Sequence, residues 1–328
     1  MTSFAIQRFD PASGDYEALA ALWTAQYPDM PRDAEIWRGR DATPHPGIEP
    51  WARFIAEGPG GLLGMAEYTG CPTAGEPGQL QIGLAHGAGP EAPAVLGALM
   101  DTVEEACAAH KPPLLLSYAR DTDAAMVDLF EQRGYVAVQQ TVSSELLPPF
   151  DAAAEATEAD RLLADVDCEL VTAQELAAAS PDWAGPYHAL DVALMRDIPF
   201  VGPTHDESFE DFVERAADPE RFRPEATFVA RERATGTLVG LSLLLLYEQI
   251  PGYAFAGMTG VLPAWRRRGI ARALKRATLG FARDHGITRI VALNEIDNPM
   301  LRLNEALGFR RLHVQMTMIK RLEGSAPA

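Results

Sequence analysis

Lysine is nearly missing. Lys111, Lys275 and Lys320 are the only lysines among 28 basic residues, so arginine carries almost all the positive charge. A G+C-rich coding sequence accounts for that bias. Cysteine is as scarce: Cys71, Cys107 and Cys168 are odd in number and far apart. That excludes a disulfide framework and a cysteine metal motif, and it fits a reducing cytoplasm. His188, His205 and His313 have no metal-ligand spacing either, so no metal is expected. Long hydrophobic runs are absent. The longest aliphatic stretch, Leu238–Leu246, is half a membrane span and reads as a buried strand. The start, MTSFAIQRFDPASGDYEAL, lacks a basic n-region and an apolar h-region, so no signal peptide is expected. Positive charge is in deficit overall, with 28 basic against 46 acidic residues and a formal net charge of −18. Such a surface repels phosphate backbones and anionic lipid, so neither nucleic acid nor membrane is an expected partner.

What is present is enough for two globular cores: 328 residues, 47% of them hydrophobic. The Ala-, Asp- and Glu-rich stretch after Pro148-Pro149 reads as a linker over residues 148–167, partly helical. It separates a first domain, 1–147, from a second, 168–322. Residues 323–328 read as a frayed tail. The two halves match each other. Arg120–Tyr135 aligns without a gap on Asn294–Phe309 at an offset of 174 residues. Asp123 meets Asp297, Met126 meets Met300, and Gly134 meets Gly308. The helices before them share an apolar face: Leu96, Leu99, Met100, Val103 and Cys107 in one, Ile270, Ala273, Leu274, Ala277 and Phe281 in the other. Each half alternates strands and helices, which predicts an α/β (α+β) fold with a helix-covered sheet. Tyr187–Arg223 reads as two short helices joined by a long loop.

The segment that carries chemistry follows the strand ending near Pro263. Arg266, Arg267, Arg268, Arg272, Lys275 and Arg276 fall within eleven residues that hold no acid. They surround Gly269 at the start of a helix. A helix N-terminus offers free N–H groups and a positive dipole end, and glycine lets backbone approach a bulky anion. Arginine forks suit phosphate oxygens. This is a pyrophosphate cradle, built without the G-K-[ST] of a Walker loop or the G-x-G-x-x-G fingerprint. The bland reading of such a run is a solvated basic helix face.

At these residues the sequence resembles the GNAT acetyltransferase superfamily, whose signature V-x-P-x-x-[RQ]-x-x-G-x-[GA] stands here as Val261, Pro263, Arg266, Gly269 and Ala271. Downstream, Asn294, Asn298, Asn304, Gly308 and Phe309 fit the family's later positions. The resemblance covers about residues 168–320 and extends to 1–147 through the repeat. It implies two tandem GNAT-like domains, each a mostly antiparallel mixed sheet flanked by helices. It implies acetyl-CoA as co-substrate, lying between the fourth and fifth strands of the second domain. The pyrophosphate would meet Arg266, Arg267, Arg268, Gly269, Ile270 and Ala271. The pantetheine arm would run along Thr259, Gly260 and Val261, flanked by Asn294 and Asn298. The Val261 N–H would polarise the acyl carbonyl, and a small primary amine would attack the thioester directly.

Such a reaction needs a base and an acid. Glu248, expected at the end of the strand Leu238–Glu248, is the first base candidate and reads equally as a solvated strand-end residue. Glu295 and Asp297 are weaker ones, and the Asp123–Asp297 match favours a turn or cap role for both. Where the family often has an acidic tyrosine this chain has Asn304, which cannot protonate a thiolate. Tyr253 is the substitute candidate. The first half has no Lys or Arg between Arg53 and Lys111, and Ala92–Gly97 replaces the Arg-rich turn. It is expected to keep the fold without the cofactor. Asp191, Asp197, Asp206 and Glu207 lie in the segment that would shape the acceptor pocket, where general acidity alone explains them. The rival reading is a non-catalytic acyl-CoA sensor. A monomer or homodimer fits either.

Overall fold

A computed structural model describes residues 3–43, 48–71, 75–148, 152–218 and 221–322. The expected tail lies outside them. The chain divides into two compact units, one of Met1–Val142, Phe200–Thr204 and His313–Ala328, the other of Ser143–Pro199 and His205–Leu312.

In the first unit the chain runs β1 (Ala5–Arg8), α1 (Tyr16–Gln26), α2 (Ala34–Ala42), β2 (Ala52–Gly58), β3 (Gly61–Gly70), β4 (Leu80–His86), α3 (Ala92–Ala108), β5 (Leu114–Arg120), α4 (Ala124–Gln132) and most of β6 (Val136–Leu146). Its sheet begins in the order β1-β2-β3-β4-β5. Neighbours are antiparallel except β4 and β5. Successive strand residues face opposite sides, as a pleat requires. Ile55, Met65 and Ala85 pack with Leu19 and Trp37 of α1 and α2. Ala56, Ala66 and Leu84 pack on the other face with Leu96, Leu99 and Phe130 of α3 and α4.

The second unit starts with α5 (Ala152–Ala164), then β7 (Cys168–Thr172), α6 (Ala173–Ala179), α7 (Ala184–Met195), α8 (Phe209–Ala217), β8 (Thr227–Glu232), β9 (Leu238–Leu246), β10 (Tyr253–Val261), α9 (Ile270–Asp284), β11 (Arg289–Glu295) and α10 (Pro299–Ala306). The order β7-β8-β9-β10-β11 repeats the first sheet, with β10 and β11 the parallel pair. Val171, Val229 and Leu241 face Leu190, Leu194 and Phe212 of α7 and α8. Phe228, Ala230 and Val239 face α9. Both sheets are mostly antiparallel and flanked by helices, as the fold class requires.

Two expectations are corrected. Residues 148–167 are not simply a linker: α5 packs along α9, where Ala159 and Leu163 are buried with Ile270, Leu274 and Ala277. Nor are the compact units contiguous stretches of sequence. The last strand, β12 (Arg310–Arg321), completes the first unit by pairing Gln315–Arg321 with β5. The end of β6 in turn belongs to the second unit, where Ser144 Oγ reaches the Ala292 carbonyl of β11 at 3.4 Å.

Candidate functional site

β10 and β11 run parallel and in register from Tyr253–Ala256 against Arg289–Ala292, and there the pairing stops. β10 continues to Val261 with β9 as its ladder partner, after a register shift between Ala256 and Thr259. The edge of β10 from Gly257 to Val261 is therefore open on the β11 side among the described residues. Leu262 N–H bonds the Val239 carbonyl on β9 at 2.9 Å. Alternation along a strand then turns the N–H groups of Thr259 and Val261 toward the open edge. Gly260 is glycine because α7 lies close: a Cβ there would sit 3.0 Å from Leu194 Cδ2. The Thr259 hydroxyl is 2.7 Å from that of the buried Ser242.

The turn leading into α9 is left-handed at two places, Arg267 (φ 62°) and Gly269 (φ 87°). For arginine that conformation is costly, by roughly 1 kcal/mol, and such strain gathers at functional turns. Alternating hand aims successive N–H groups into one concavity, an anion nest, at the positive end of α9. The six basic residues then separate by role. Arg266 folds back along the surface onto the strand it follows: Nε donates to the Val261 carbonyl at 2.9 Å and the guanidinium pairs with Asp197. It braces the turn and is not a free phosphate fork. Arg268 bonds the Ala264 carbonyl and lies over Trp265. Arg272 and Arg276 both face Glu158 of α5, at 3.9 and 3.2 Å. Arg267 is exposed and has no side-chain partner among the described residues. Lys275, the sixth basic residue, is 4% exposed, and burial lowers its amine to about 8.

On the far side of the opening Asn304 is fully buried. Its Nδ2 donates to Asn294 Oδ1 at 2.6 Å, while its own Oδ1 has no hydrogen-bond partner. Asn298 does not stand beside this pair as a free side chain: it caps α10, accepting from Met300 N–H at 2.9 Å. That cap falls one residue after the one expected at Asp297, whereas Asp123 does cap α4. Glu248 and Tyr253 are not brought to the opening. β9 stops at Leu246, and Glu248 lies beyond it with its side chain 73% exposed and paired with Arg223. Tyr253 begins β10 where the parallel pairing is intact, about 20 Å along the strand from Thr259. The four carboxylates of the acceptor segment are each held by an arginine: Asp191 and Glu207 by Arg215, Asp197 by Arg266, Asp206 by Arg196. Burial raises the Asp191 carboxyl, with Arg215 opposing. Three arginines thus serve four carboxylates, which leaves one formal negative charge there. The residues that sequence reasoning missed are Leu194, Ser242 and Glu158. All are ordinary by type, and only their distant partners reveal them.

The first unit repeats the frame and fills it. β4 and β5 pair at Leu80–Leu115 and Gln81–Leu116 only. The β4 edge beyond that is occupied by the end of α1. Tyr27 Oη donates to the Leu84 carbonyl at 2.7 Å, and His86 N–H donates to Gln26 Oε1 at 2.6 Å. Gln26 Nε2 and His86 Nε2 both reach Asp123, and that hydrogen bond raises the His86 pKa. Arg120 covers the Tyr27 ring at 4.4 Å and pairs with Asp29. Ala92–Val95, aligned with the Arg-rich turn, are already helix.

Residues 191–309 match the model of the acetyltransferase (GNAT) family. Over 133 residues the chain is 34% identical to a mycothiol acetyltransferase of Thermobispora bispora, covering 39% of this chain and 43% of that protein. The chain thus spans less than half of that relative's length. Among solved structures, a GCN5-related N-acetyltransferase from Sphaerobacter thermophilus superposes with a TM-score of 0.69 at 20% identity, covering 97% and 95% of the two chains. A tandem GNAT protein from the clavulanic acid biosynthesis pathway gives 0.70 at 18% identity, covering 99% and 100%. At those identities the likeness is one of fold.

Proposed function

We infer, from the match of residues 191–309 to the model of the acetyltransferase (GNAT) family, that the chain is an acetyl-CoA-dependent N-acetyltransferase for a small primary amine. The observation that carries this reading is the open edge of β10 leading directly into the nest before α9. The N–H groups of Arg267–Ala271, with the Arg267 and Arg268 guanidinium groups, would hold the pyrophosphate. The open-edge backbone of Thr259 and Val261 would pair with the pantetheine arm, Gly260 between them facing β9, and Asn294 would border the arm. The Thr259 N–H, turned to the open edge two residues further from the nest than Val261, would stabilise negative charge on the thioester oxygen as the amine attacks. No covalent enzyme intermediate is required. Likeness to a mycothiol acetyltransferase supports acetyl transfer as the chemistry.

The cofactor is assigned to the second unit alone. In the first, Tyr27 and Gln26 already take the β4 edge groups that an extended ligand would need. Isothermal calorimetry with acetyl-CoA should give one site per chain. Arg267→Glu/Arg268→Glu, on exposed residues, should weaken it at least tenfold, and Gly269→Glu should abolish it. Two sites would overturn the assignment, and no binding would overturn the whole reading. Asn304 in place of an acidic side chain favours a second reading, an acyl-CoA sensor. Thiol release from acetyl-CoA across an amine panel separates the two.

A further inference from the structure

We propose that Lys275 is a catalytic residue, its ammonium Nζ meeting the sulfur of the departing thiol and protonating it. The proposal rests on the cofactor placement above. Lys275 sits on α9 at the level of the open stretch of β10. Its neighbour Leu274 fixes that level: a Cβ built on Gly240 would lie 3.3 Å from Leu274 Cδ1 and 2.9 Å from the Gly260 carbonyl. Helix geometry agrees. α9 runs back against the parallel strands it joins, and five residues of rise from Ile270 is about 7.5 Å, or two to three strand residues back from Val261. That is Met258–Thr259. One step on from Leu274, the side chain turns toward α10, where Nζ lies 6.0 Å from the centre of the Phe309 ring. Phe309 N–H in turn bonds the Asn304 carbonyl. Lys275 thus approaches the turn that closes α10, the helix that carries Asn304.

Two polar groups in this small region lack partners. Asn304 Oδ1 is buried with none. Lys275 Nζ has no hydrogen-bond or ion-pair partner among the described residues. The nearby charges are used elsewhere: Arg272 and Arg276 face Glu158, and Glu305 pairs with Arg311. Burying an unpaired ammonium is costly, and a core position on an apolar helix face would take leucine or methionine at no such cost. A negative charge formed at the opening during turnover gives that lysine a partner. Its lowered proton affinity, about 8 through burial, lies close to that of an alkyl thiol. Transfer between them is therefore near balance, where general acids work best.

The step balances. The amine lone pair forms the C–N bond and the C–S bond breaks, its electron pair going to sulfur. A proton passes from Nζ to sulfur, and Nζ regains one from solvent. The proton lost by the acceptor nitrogen goes to water. Asn304 cannot supply the proton but can orient the sulfur or the arm.

The test is a pH titration of free CoA bound to the protein, followed by thiolate absorbance near ~240 nm, in wild type, Lys275→Met and Lys275→Arg. With an ammonium beside the sulfur, the bound thiol should ionise about one to two pH units lower in wild type than in Lys275→Met. Lys275→Arg should keep the shift, because it keeps the charge. It should not restore acetyl-CoA turnover, because a guanidinium does not give its proton to a thiolate; full turnover in that variant would overturn the proton transfer. Acetyl-CoA affinity should change less than about threefold in the methionine variant, and thermal melts should report folded protein. Identical thiol titrations in wild type and Lys275→Met would overturn the proposal. So would a loss of acetyl-CoA affinity of tenfold or more, which would make Lys275 a phosphate or packing group. Failure of wild type to bind CoA would sink the cofactor placement itself, a result plainly different from either.

Discussion

At the scale of single residues, Lys275 is where charge pattern and structure disagree most. In sequence it is one of six basic residues around a glycine, yet in the fold it is buried on an apolar face. A lysine lowered from 10.5 to about 8 binds its proton more weakly in the native state than in the unfolded chain. Between about pH 8 and 10.5 the unfolded chain therefore holds a proton that the native protein has released. This residue's contribution to stability must rise with pH across that window. Below pH 8 its burial costs about 3 kcal/mol. Lys275→Met should accordingly be more stable than wild type at pH 7 by a sizeable part of that figure. The advantage should shrink toward pH 10. Urea denaturation of both proteins at the two pH values checks this, and an equal difference at both would mean that packing, not charge, sets the effect. Arg266 holds a similar lesson. Its type and position are legible in the sequence, but its role as a brace through Val261 and Asp197 is not, because Asp197 lies 69 residues away in the chain.

At the scale of elements, the strands were legible because they are apolar on both faces and end at turn residues. CELVTA, ATFVARER, YAFAGMTGVL and TRIVALNE all correspond to strands β7, β8, β10 and β11. The two short helices between Tyr187 and Arg223 were legible as well, and so was the glycine turn, whose chemistry is local. What failed was α5. Its Ala, Asp and Glu content resembles a solvated linker, and its apolar face is explained only by α9, more than a hundred residues later. Leu163 is 1% exposed within that contact, and Leu162 touches the space beside Gly269. Leu163→Ala should therefore cost about 2–5 kcal/mol, the usual range for a buried leucine. A true linker position would change stability by less than about 0.5 kcal/mol. Chemical denaturation distinguishes the two, and acetyl-CoA affinity should fall as well, since α5 supports the helix that starts at the nest. The catalytic candidates were misplaced for a related reason. Glu248 and Tyr253 lie near β10 in sequence but at the end remote from the opening, and only the point where strand pairing stops reveals which end is open.

At the scale of the whole molecule, the repeat in sequence and the units in space are not the same division. The first unit's sheet is closed by β12, from the far end of the chain, over seven paired positions from Gln315–Arg120 to Arg321–Leu114. Met318 and Ile319 are buried there, Lys320 reaches Glu104, and Arg321 reaches Glu76. Phe200–Thr204 also joins this unit, Gly75 N–H bonding the Pro203 carbonyl at 2.9 Å. A fragment ending at residue 147 would keep every helix of the first half and lose β12. It would expose the edge of β5, whose residues Leu114, Leu115 and Leu116 are buried in the intact protein. An apolar, unpaired strand edge invites pairing with other chains. Residues 1–147 expressed alone should therefore aggregate or melt without a cooperative transition. Appending residues 313–322 through a flexible linker should restore a cooperative unit by returning the missing strand. Size-exclusion chromatography and thermal circular dichroism of the two fragments decide the matter. If 1–147 folds alone as a stable monomer, β12 is dispensable and the contiguous halves are autonomous domains. If only the extended fragment folds, neither half of the duplicated sequence is complete without a strand from the other. Retaining a first unit whose cleft is filled by its own side chains would then have a structural cause, because deleting it would leave β12 without the strand it pairs with.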